Sequence, residues 1–234
     1  MQGPFAKTFA FYEDIQMGRP ASTGKSCNTF GGLPPIRDLR WMKSEYDIRA
    51  AKWSAVNVRN DKRSFVTLMR WAFKLPDKLS FNARSEGIER AKFWADSFQK
   101  RRCIIPASAI QESQDLADGK KGDKYEFDIP GREIFGMAGV WKLWKHPQTG
   151  QWESTFAVLT GEPNEVMRPI HDRLTTVLEP RDYGEYLAYS DRPPIHLLRV
   201  LSSDELRATR LEKPTLKLRS TLMADPQICL FGSE

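Results

Sequence analysis

Three stretches of this sequence carry side chains that could do acid–base chemistry beside a phosphate group. Glu112 closes a run of small and apolar residues, so burial would raise the pKa of its carboxyl into the range useful for proton transfer. His171 could act as a general base or as a hydrogen-bond donor to an oxyanion. Asn82 and Arg84 stand just before a predicted helix, whose N-terminus would favour a phosphate.

Each of these residues also has a purely structural interpretation. A carboxylate at the end of a strand usually faces water, and a lone histidine usually pairs with a backbone carbonyl. Ser85 would cap the predicted helix by itself, which leaves Arg84 as an ordinary surface arginine. Taken one at a time, these residues do not distinguish catalysis from structure.

Apolar patterns predict the elements that must position these side chains. Residues 65–73 predict a strand that ends at Pro76. Ser85 opens a predicted helix, because apolar residues recur after it at steps of three and four. This stripe consists of Ile88, Ala91, Trp94, Ala95 and Phe98. Residues 103–105 predict a short buried strand that Pro106 ends.

The second half of the chain continues the same mixture of strands and short helices. Residues 124–160 predict a three-stranded meander. Pro180 suits the first turn of a helix, and Ser202 with Glu205 forms a capping box. The fold class is therefore α+β, with strands dominating the middle of the chain. Since no stretch resembles a linker, we expect one domain over residues 1–234.

Composition is that of a globular protein with an excess of positive charge. The 234 residues are 40% hydrophobic and 28% charged, and their formal net charge is +6. This balance suits an acidic partner such as nucleic acid, although charge alone is a weak indication. No stretch resembles a signal peptide or a membrane span, so we expect a cytoplasmic protein without membrane contact.

The three cysteines, Cys27, Cys103 and Cys229, are widely spaced and form no paired motif. Such spacing argues against a disulfide framework and against a zinc site. We therefore expect a reducing compartment, no metal and no cofactor.

Taken together, the motifs resemble those of the SOS response-associated peptidase (SRAP) family. The family has an Asn-Ala-Arg-x-Glu segment, then Cys-(apolar)-x-Pro-Ala-x-x-x-(aromatic)-Glu, then a late His-Asp-Arg. Residues 82–86, 103–112 and 171–173 match these segments in the same order. The resemblance implies a mostly antiparallel or mixed β-sheet core that is barrel-like, with peripheral helices.

The resemblance is not uniform along the chain. It is specific over residues 65–190 and faint near the start. We therefore expect a single SRAP-like domain in which residues 1–62 form a diverged N-terminal part and residues 190–234 form a C-terminal extension.

The resemblance further implies chemistry on abasic sites in single-stranded DNA. In the family, the initiator Met is removed, and the Cys that follows crosslinks to the ring-opened aldehyde as a thiazolidine. By correspondence, Asn82 would hold the N-terminal residue, Glu112 would move protons, and His171 would assist sugar opening and crosslink reversal. The residues that correspond to DNA contacts are Trp71, Arg84, Thr160 and Arg173. Trp71 could equally be a core aromatic.

The chain departs from the family at the nucleophile. Gln2 stands where the family has Cys, and a carboxamide cannot close a thiazolidine. Pro4 replaces an arginine that would contact phosphate. Gln111 and Ser113 flank Glu112 where the family usually has aromatic residues. The sequence thus predicts that the acid–base residues are retained and that the covalent trap is lost.

Three functions remain open from the sequence. The first is a binder of single-stranded or abasic-site DNA that forms no stable covalent bond. The second is an active hydrolase or peptidase that processes its own N-terminus. The third is a phage-related structural or interaction protein with a decayed site. The oligomeric state and the activity as an enzyme are open as well.

Overall fold

Strands account for most of the regular structure. A computed structural model describes residues 5–7, 47–49, 53–60, 63–75 and 77–212. In these ranges the fifteen strands are β1 (Phe5–Lys7), β2 (Asp47–Arg49), β3 (Trp53–Arg59), β4 (Ser64–Trp71), β5 (Phe73–Lys74), β6 (Leu79–Ser80), β7 (Asn82–Arg84), β8 (Arg102–Ala107), β9 (Ala109–Asp115), β10 (Lys121–Asp128), β11 (Phe135–Lys145), β12 (Trp152–Gly161), β13 (Leu174–Thr175), β14 (Val177–Leu178) and β15 (Arg207–Leu211). The helical segments there are α1 (Ala95–Lys100), α2 (Tyr183–Leu187) and three 3-10 turns at Pro180–Asp182, Ile195–Leu197 and Ser203–Glu205.

Five of the strands close into a barrel. Their order around the ring is β12, β4, β3, β8 and β11, and β11 pairs back with β12. The pairing of β12 with β4 is parallel and joins Thr155 to Arg70 and Phe156 to Trp71. The other four pairings of the ring are antiparallel. Closure lets each of these strands find a partner on both sides.

Gly139 shows how closely the barrel wall is packed. A Cβ atom at this position would lie 2.4 Å from Cδ1 of Ile105 and 3.0 Å from the carbonyl oxygen of Ala157. Because a backbone oxygen cannot move aside as a side chain can, the junction of β8, β11 and β12 requires glycine.

A second sheet carries Glu112. Its strand order is β15, β10, β9, β1 and β2, and all four pairings are antiparallel. Ser108 alone separates β8 from β9, so the chain passes directly from the barrel wall into this sheet.

The core consists of two apolar clusters, which lie on opposite faces of the shared strands. On β8, Cys103 and Ile105 belong to one cluster and Ile104 to the other. On β12, Phe156 and Ala157 divide in the same way. This period-two division explains why β8 is buried over its whole length.

The helix predicted from Ser85 is much shorter than its apolar stripe suggested. Only α1 is helical, and turns with three-residue hydrogen bonds precede it, such as those from Ala91 N to Ile88 O and from Trp94 N to Ala91 O. Gly87 adopts a φ of 66°, which interrupts a right-handed helix. Successive turns, which repeat about every three residues, therefore take the place of one long helix.

Two other expectations were wrong in detail. Pro106 does not end its strand, because β8 continues through Ala107. β3 pairs with β8 at Asn57 and Ile104 and does not continue alongside Pro106. The missing backbone N–H of Pro106 therefore costs no hydrogen bond on that side of β8. The meander is also wrong, since β10 pairs with β9 and β15 while only β11 and β12 form the expected hairpin.

The fold class and several local expectations are confirmed. The mostly antiparallel, barrel-like α+β fold with small peripheral helices is present. The predicted strand at 65–73 appears as β4 and β5, broken at Ala72 by a φ of 86°. Pro180 opens a helical segment, and the capping box joins Ser202 and Glu205. Pro76 lies outside the described residues. Within the described ranges, no helix is long and apolar enough to cross a membrane.

Candidate functional site

The end of β9 is tied to the segment that carries His171. The backbone N–H of Asp115 donates to the carbonyl of Ile170 at 2.8 Å, and Nε2 of Gln114 donates to the carbonyl of Pro169 at 3.3 Å. A cleft of about 370 Å³ opens beside this junction, and Asp115, His171 and Asp172 are among the residues that line it. The two sequence motifs that contain Glu112 and His171 therefore meet in space.

Glu112 is a buried acid on β9, three residues before Asp115, which lines the cleft. Its residue is 8% exposed, and among the described residues its carboxyl has no hydrogen-bond partner. Burial raises the pKa of Glu112 to about 8; the charges of Asp115 and Asp172 act in the same direction, and Lys121 opposes them. At neutral pH the side chain is mainly the protonated acid, with a smaller ionised fraction that can accept a proton.

The ring of His171 is oriented by hydrogen bonds from its own segment. The backbone N–H of Arg173 donates to Nδ1 at 3.0 Å. The carbonyl of Arg173 lies 3.2 Å from the same nitrogen. In the tautomer in which Nδ1 accepts from the amide, the proton of the neutral ring is on Nε2, which is 3.7 Å from Oδ2 of Asp115. Oδ1 of Asp172 is 3.4 Å from Nδ1 on the other side of the ring. The imidazole thus presents an N–H donor toward the cleft.

Lys121 completes a row of charged groups beside Glu112. Its ammonium forms an ion pair with Oδ1 of Asp115, whose other oxygen faces His171. Lys121 and Asp115 are also backbone partners across β9 and β10. The Asp115 carboxylate thus stands between a primary amine and an imidazole.

Asp115, His171 and Asp172 offer donor atoms that all lie within 4.8 Å of one another, a spacing that a small cation could bridge. The expectation of no metal came from cysteine spacing and did not consider these donors, which come together only on folding. Lys121 already supplies a positive charge to Asp115.

Asn82 and Arg84 lie on β7, which runs parallel to the barrel strand β12. Asn82 stands opposite Val158, and Arg84 stands opposite Thr160. Asn82 is half-buried and makes no hydrogen bond to Glu112 or His171 within the described part of the chain. Arg84 is exposed. Among the described residues, Asn82 therefore joins the barrel strand β12 and is not in direct contact with Glu112 or His171.

Arg173 is held by protein groups rather than being free for DNA. One guanidinium nitrogen donates to the carbonyl of Thr160 and to Oε2 of Glu86, each at 2.6 Å. The side chain is 15% exposed, and the side chain of Thr160 is buried as well. Both residues were predicted DNA contacts, and their geometry instead indicates a role in joining β12 to the loop around Glu86.

Trp71 belongs to the core, which corrects the stacking interpretation. It is 3% exposed, and its indole N–H donates to the carbonyl of Phe81 at 2.9 Å. Its ring stacks on Phe156 at 6.3 Å between centroids. No face of the indole is left for a base, so the core alternative describes this residue.

The start of the described chain lies against the same strand as Glu112. β1 pairs with β9, and Phe5 stands opposite Gln111, the neighbour of Glu112. Gln2 and Pro4 lie outside the described residues, as does Cys27. Cys103 is fully buried, and burial raises the pKa of its thiol, so it is no substitute nucleophile.

Sequence reasoning missed Asp115 and Lys121. Asp115 follows Glu112 by three residues, and Lys121 belongs to a lysine-rich stretch; neither residue is part of a motif. Asp172 lies within the His-Asp-Arg motif, which was a sufficient signal to include it.

A family model described as SOS response associated peptidase (SRAP) matches residues 23–215 of this chain. Among curated relatives, abasic site processing protein YoqW of Bacillus subtilis (strain 168) is 28% identical over 150 residues, which are 60% of this chain and 66% of YoqW. Abasic site processing protein HMCES of Xenopus tropicalis is 29% identical over 137 residues, which are 47% of this chain and 41% of HMCES. The chain thus aligns with slightly less than two thirds of YoqW.

Solved structures share the fold at low identity. A protein from Bacteroides thetaiotaomicron superposes with a TM-score of 0.61 and 20% identity, covering 71% of this chain and 78% of that one. A phage-related protein from Bordetella bronchiseptica gives a TM-score of 0.59 and 20% identity, covering 73% and 83%. At this identity the likeness concerns the architecture alone.

Proposed function

The chain belongs to the SOS response-associated peptidase (SRAP) family, and from this premise we propose that it binds abasic sites in single-stranded DNA at the cleft beside Glu112 and His171. One observation carries the proposal: the strand that carries a buried acid, Glu112, is bonded at its end to the segment that carries an oriented imidazole, His171, and a cleft opens at this junction. The relatives named abasic site processing proteins supply the class of ligand.

The chemistry of the two groups suits an abasic sugar. Opening the hemiacetal ring takes one proton from the anomeric hydroxyl and gives one to the ring oxygen. The Nε2–H of His171 can donate to the ring oxygen, and the ionised fraction of Glu112 can accept the other proton. An acid whose pKa lies close to the working pH is suited to passing a proton in both directions.

Phosphate contacts fall to exposed arginines near the site. Arg84 is exposed on β7, and Arg168 is exposed at the rim of the cleft, where it donates to the carbonyl of Pro163 at 3.1 Å. Contacts of this kind position a strand without reading its sequence. The net charge of +6 favours the same partner.

We propose that the thiazolidine crosslink of the family is absent from this chain. The five-membered ring needs an amine and a thiol on neighbouring carbons, and Gln2 has no thiol. The retained acid, histidine and cleft support DNA binding over a decayed structural role, since a site without function has no reason to keep a buried carboxyl that has no hydrogen-bond partner among the described residues and lowers stability.

Fluorescence anisotropy with labelled single-stranded DNA tests the proposal. Binding of an oligonucleotide with one abasic site is compared with that of an intact one at roughly 50 and 200 mM salt. We expect tighter binding of the abasic strand, and we expect His171→Ala to remove the preference. His196→Ala is the matched control, because His196 is an exposed histidine that pairs with Glu185. Absence of binding at low salt would refute the proposal.

The hydrolase alternative has its own measurement. Intact mass of the purified protein shows whether Met1 is still present. A chain that begins at Met1 argues against self-processing of the N-terminus, whereas loss of N-terminal residues that Glu112→Gln prevents would favour it.

A further inference from the structure

We propose that Lys121 is the nucleophile of this chain toward the abasic site, and that its ε-amine forms an imine with the C1′ aldehyde of the ring-opened sugar. The inference rests on the proposed function, since it requires the abasic strand to occupy the cleft. It assigns a covalent step to a chain that lacks the thiol at residue 2.

The position of the amine is the first support. The Lys121 ammonium forms an ion pair with Oδ1 of Asp115, and Oδ2 of the same carboxylate is 3.7 Å from Nε2 of His171. The charge of Lys121 also acts on the carboxyl of Glu112. The side chain of Lys121 is 48% exposed, so a ligand can reach the amine from solvent.

A β-bulge in β10 gives Lys121 this position. Lys124 pairs with Ser113 and Lys121 with Asp115, so three steps along β10 match two steps along β9. In an unbroken register Gly122 would stand opposite Asp115, and Lys121 would lie one residue further along on the other face. The extra residue therefore turns Lys121 toward Asp115, which is how bulges re-aim side chains beside functional sites.

The neighbouring groups can carry every proton that imine formation needs. The ionised form of Glu112 takes a proton from the ammonium, and the nitrogen lone pair then forms the N–C1′ bond while the carbonyl oxygen receives that proton. The nitrogen of this carbinolamine gives a proton back to Glu112, which passes it to the hydroxyl. Water leaves as the C=N double bond forms. The products are a protonated imine and one water, with no oxidant or reductant.

Two other lysines of the described chain, Lys120 and Lys142, have different settings. Lys120 is 80% exposed at its side chain and pairs with Asp118 on the far side of the turn. Lys142 lies in an aromatic cluster, with Nζ 3.5 Å from the ring centroid of Phe93 and a hydrogen bond to the carbonyl of Phe93. Lys120 is therefore a matched control for Lys121, since the two are adjacent and equally charged.

Reductive trapping tests the inference. The full chain is incubated with abasic single-stranded DNA and sodium cyanoborohydride, which reduces an imine to a stable secondary amine, and the adduct is measured on a denaturing gel. We expect the original chain and Lys120→Arg to give equal adduct, and Lys121→Arg at least about tenfold less. Peptide mapping by mass spectrometry should place the adduct on Lys121.

Each result bears on the inference. Equal trapping by Lys121→Arg, or an adduct mapped to the Met1 amine, would overturn it. Anisotropy on the same samples separates it from the proposed function: binding without trapping refutes the imine alone, whereas absence of binding refutes both. Lys121→Arg keeps a positive charge beside Asp115, so anisotropy on this variant shows whether a loss of trapping is accompanied by a loss of binding.

Discussion

Oδ2 of Asp115 lies 3.7 Å from Nε2 of His171, and the same residue's backbone N–H donates to the carbonyl of Ile170. One residue at the end of β9 thus bonds the backbone of the histidine segment and places a carboxylate beside its ring. Because Glu112 lies three residues earlier on the same strand, this contact links the strand of the acid to the segment of the imidazole.

The buried carboxyl of Glu112 predicts how stability depends on pH. Its pKa is raised to about 8 in the folded chain from 4.5, so the folded state binds a proton that the unfolded state has lost. The contribution of Glu112 to the free energy of unfolding is therefore complete below the unfolded pKa of 4.5 and is lost as the pH rises toward about 8. The loss is roughly 1.4 kcal/mol per pH unit at most.

Glu112→Gln should remove this dependence, because the amide has a similar shape and does not ionise. Urea unfolding is measured at acidic and at mildly alkaline pH. Relative to the original chain, the free energy of unfolding of the variant should be higher at the alkaline pH than at the acidic pH, by on the order of a few kcal/mol. Glu133→Gln, at an exposed glutamate, is the control and should not change the free energy of unfolding at either pH. A Glu112→Gln protein that follows the original pH profile would contradict the burial argument.

Arg84 and Arg173 should respond in opposite ways to removal. Arg84→Ala should leave stability unchanged and reduce the slope of log affinity against log salt by about one, because an exposed phosphate contact is lost. Arg181→Ala, at another exposed arginine, serves as the control for general charge. Anisotropy titrations over a range of salt concentrations measure the slope.

Arg173→Ala should instead destabilise the fold by about 1–3 kcal/mol, because Glu86 and the carbonyl of Thr160 lose a shared donor. Chemical denaturation provides the measurement, and the salt slope of DNA binding should stay the same. A changed slope with unchanged stability would return Arg173 to the DNA contacts.

Trp71 should behave as a core residue. Trp71→Ala should lower the free energy of unfolding by about 3–5 kcal/mol, because it leaves a cavity against Phe156. Trp71→Phe should lower it less and should keep the affinity for abasic DNA. Loss of affinity in a stably folded Trp71→Phe protein would show that the indole reaches the ligand after all.

Restoring the family residues at the start of the chain should restore the family's adduct. We expect the double substitution Gln2→Cys and Pro4→Arg to give a covalent adduct with abasic DNA without any reductant, provided that intact mass shows removal of Met1. The Pro4→Arg single variant is the control, since it adds the cation without the thiol. Absence of adduct from the processed double variant would mean that the acid–base residues are not arranged for this chemistry.

The sequence predicted those features that depend on local pattern. The continuous apolar run at residues 103–105 indicated a buried strand, and Pro180 and Ser202 marked the starts of short helical segments. Glu112 and His171 were found because their motifs resemble those of a family. These signals depend on neighbouring residues, which the sequence shows directly.

Features that depend on pairing between distant strands were not predictable in the same way. Nothing near β10 indicates that it joins β9 and β15 rather than β11. The contact of Lys121 with Asp115 depends on the β-bulge in β10. A one-residue shift of register cannot be recognised from the apolar pattern of a partly exposed strand. The prediction of a helix from Ser85 was wrong because apolar residues spaced three apart are buried by successive turns as well as by a helix.

The hydrogen bond from the amide of Asp115 to Ile170 joins the five-stranded sheet to the histidine segment. Exchange of that single amide proton with deuterium therefore reports whether the cleft is assembled, separately from exchange in the barrel. If the sheet separates from this segment at a lower temperature than the barrel unfolds, DNA binding would be lost while most of the protein is still folded. The midpoint temperature for loss of binding would then lie below that for unfolding of the barrel.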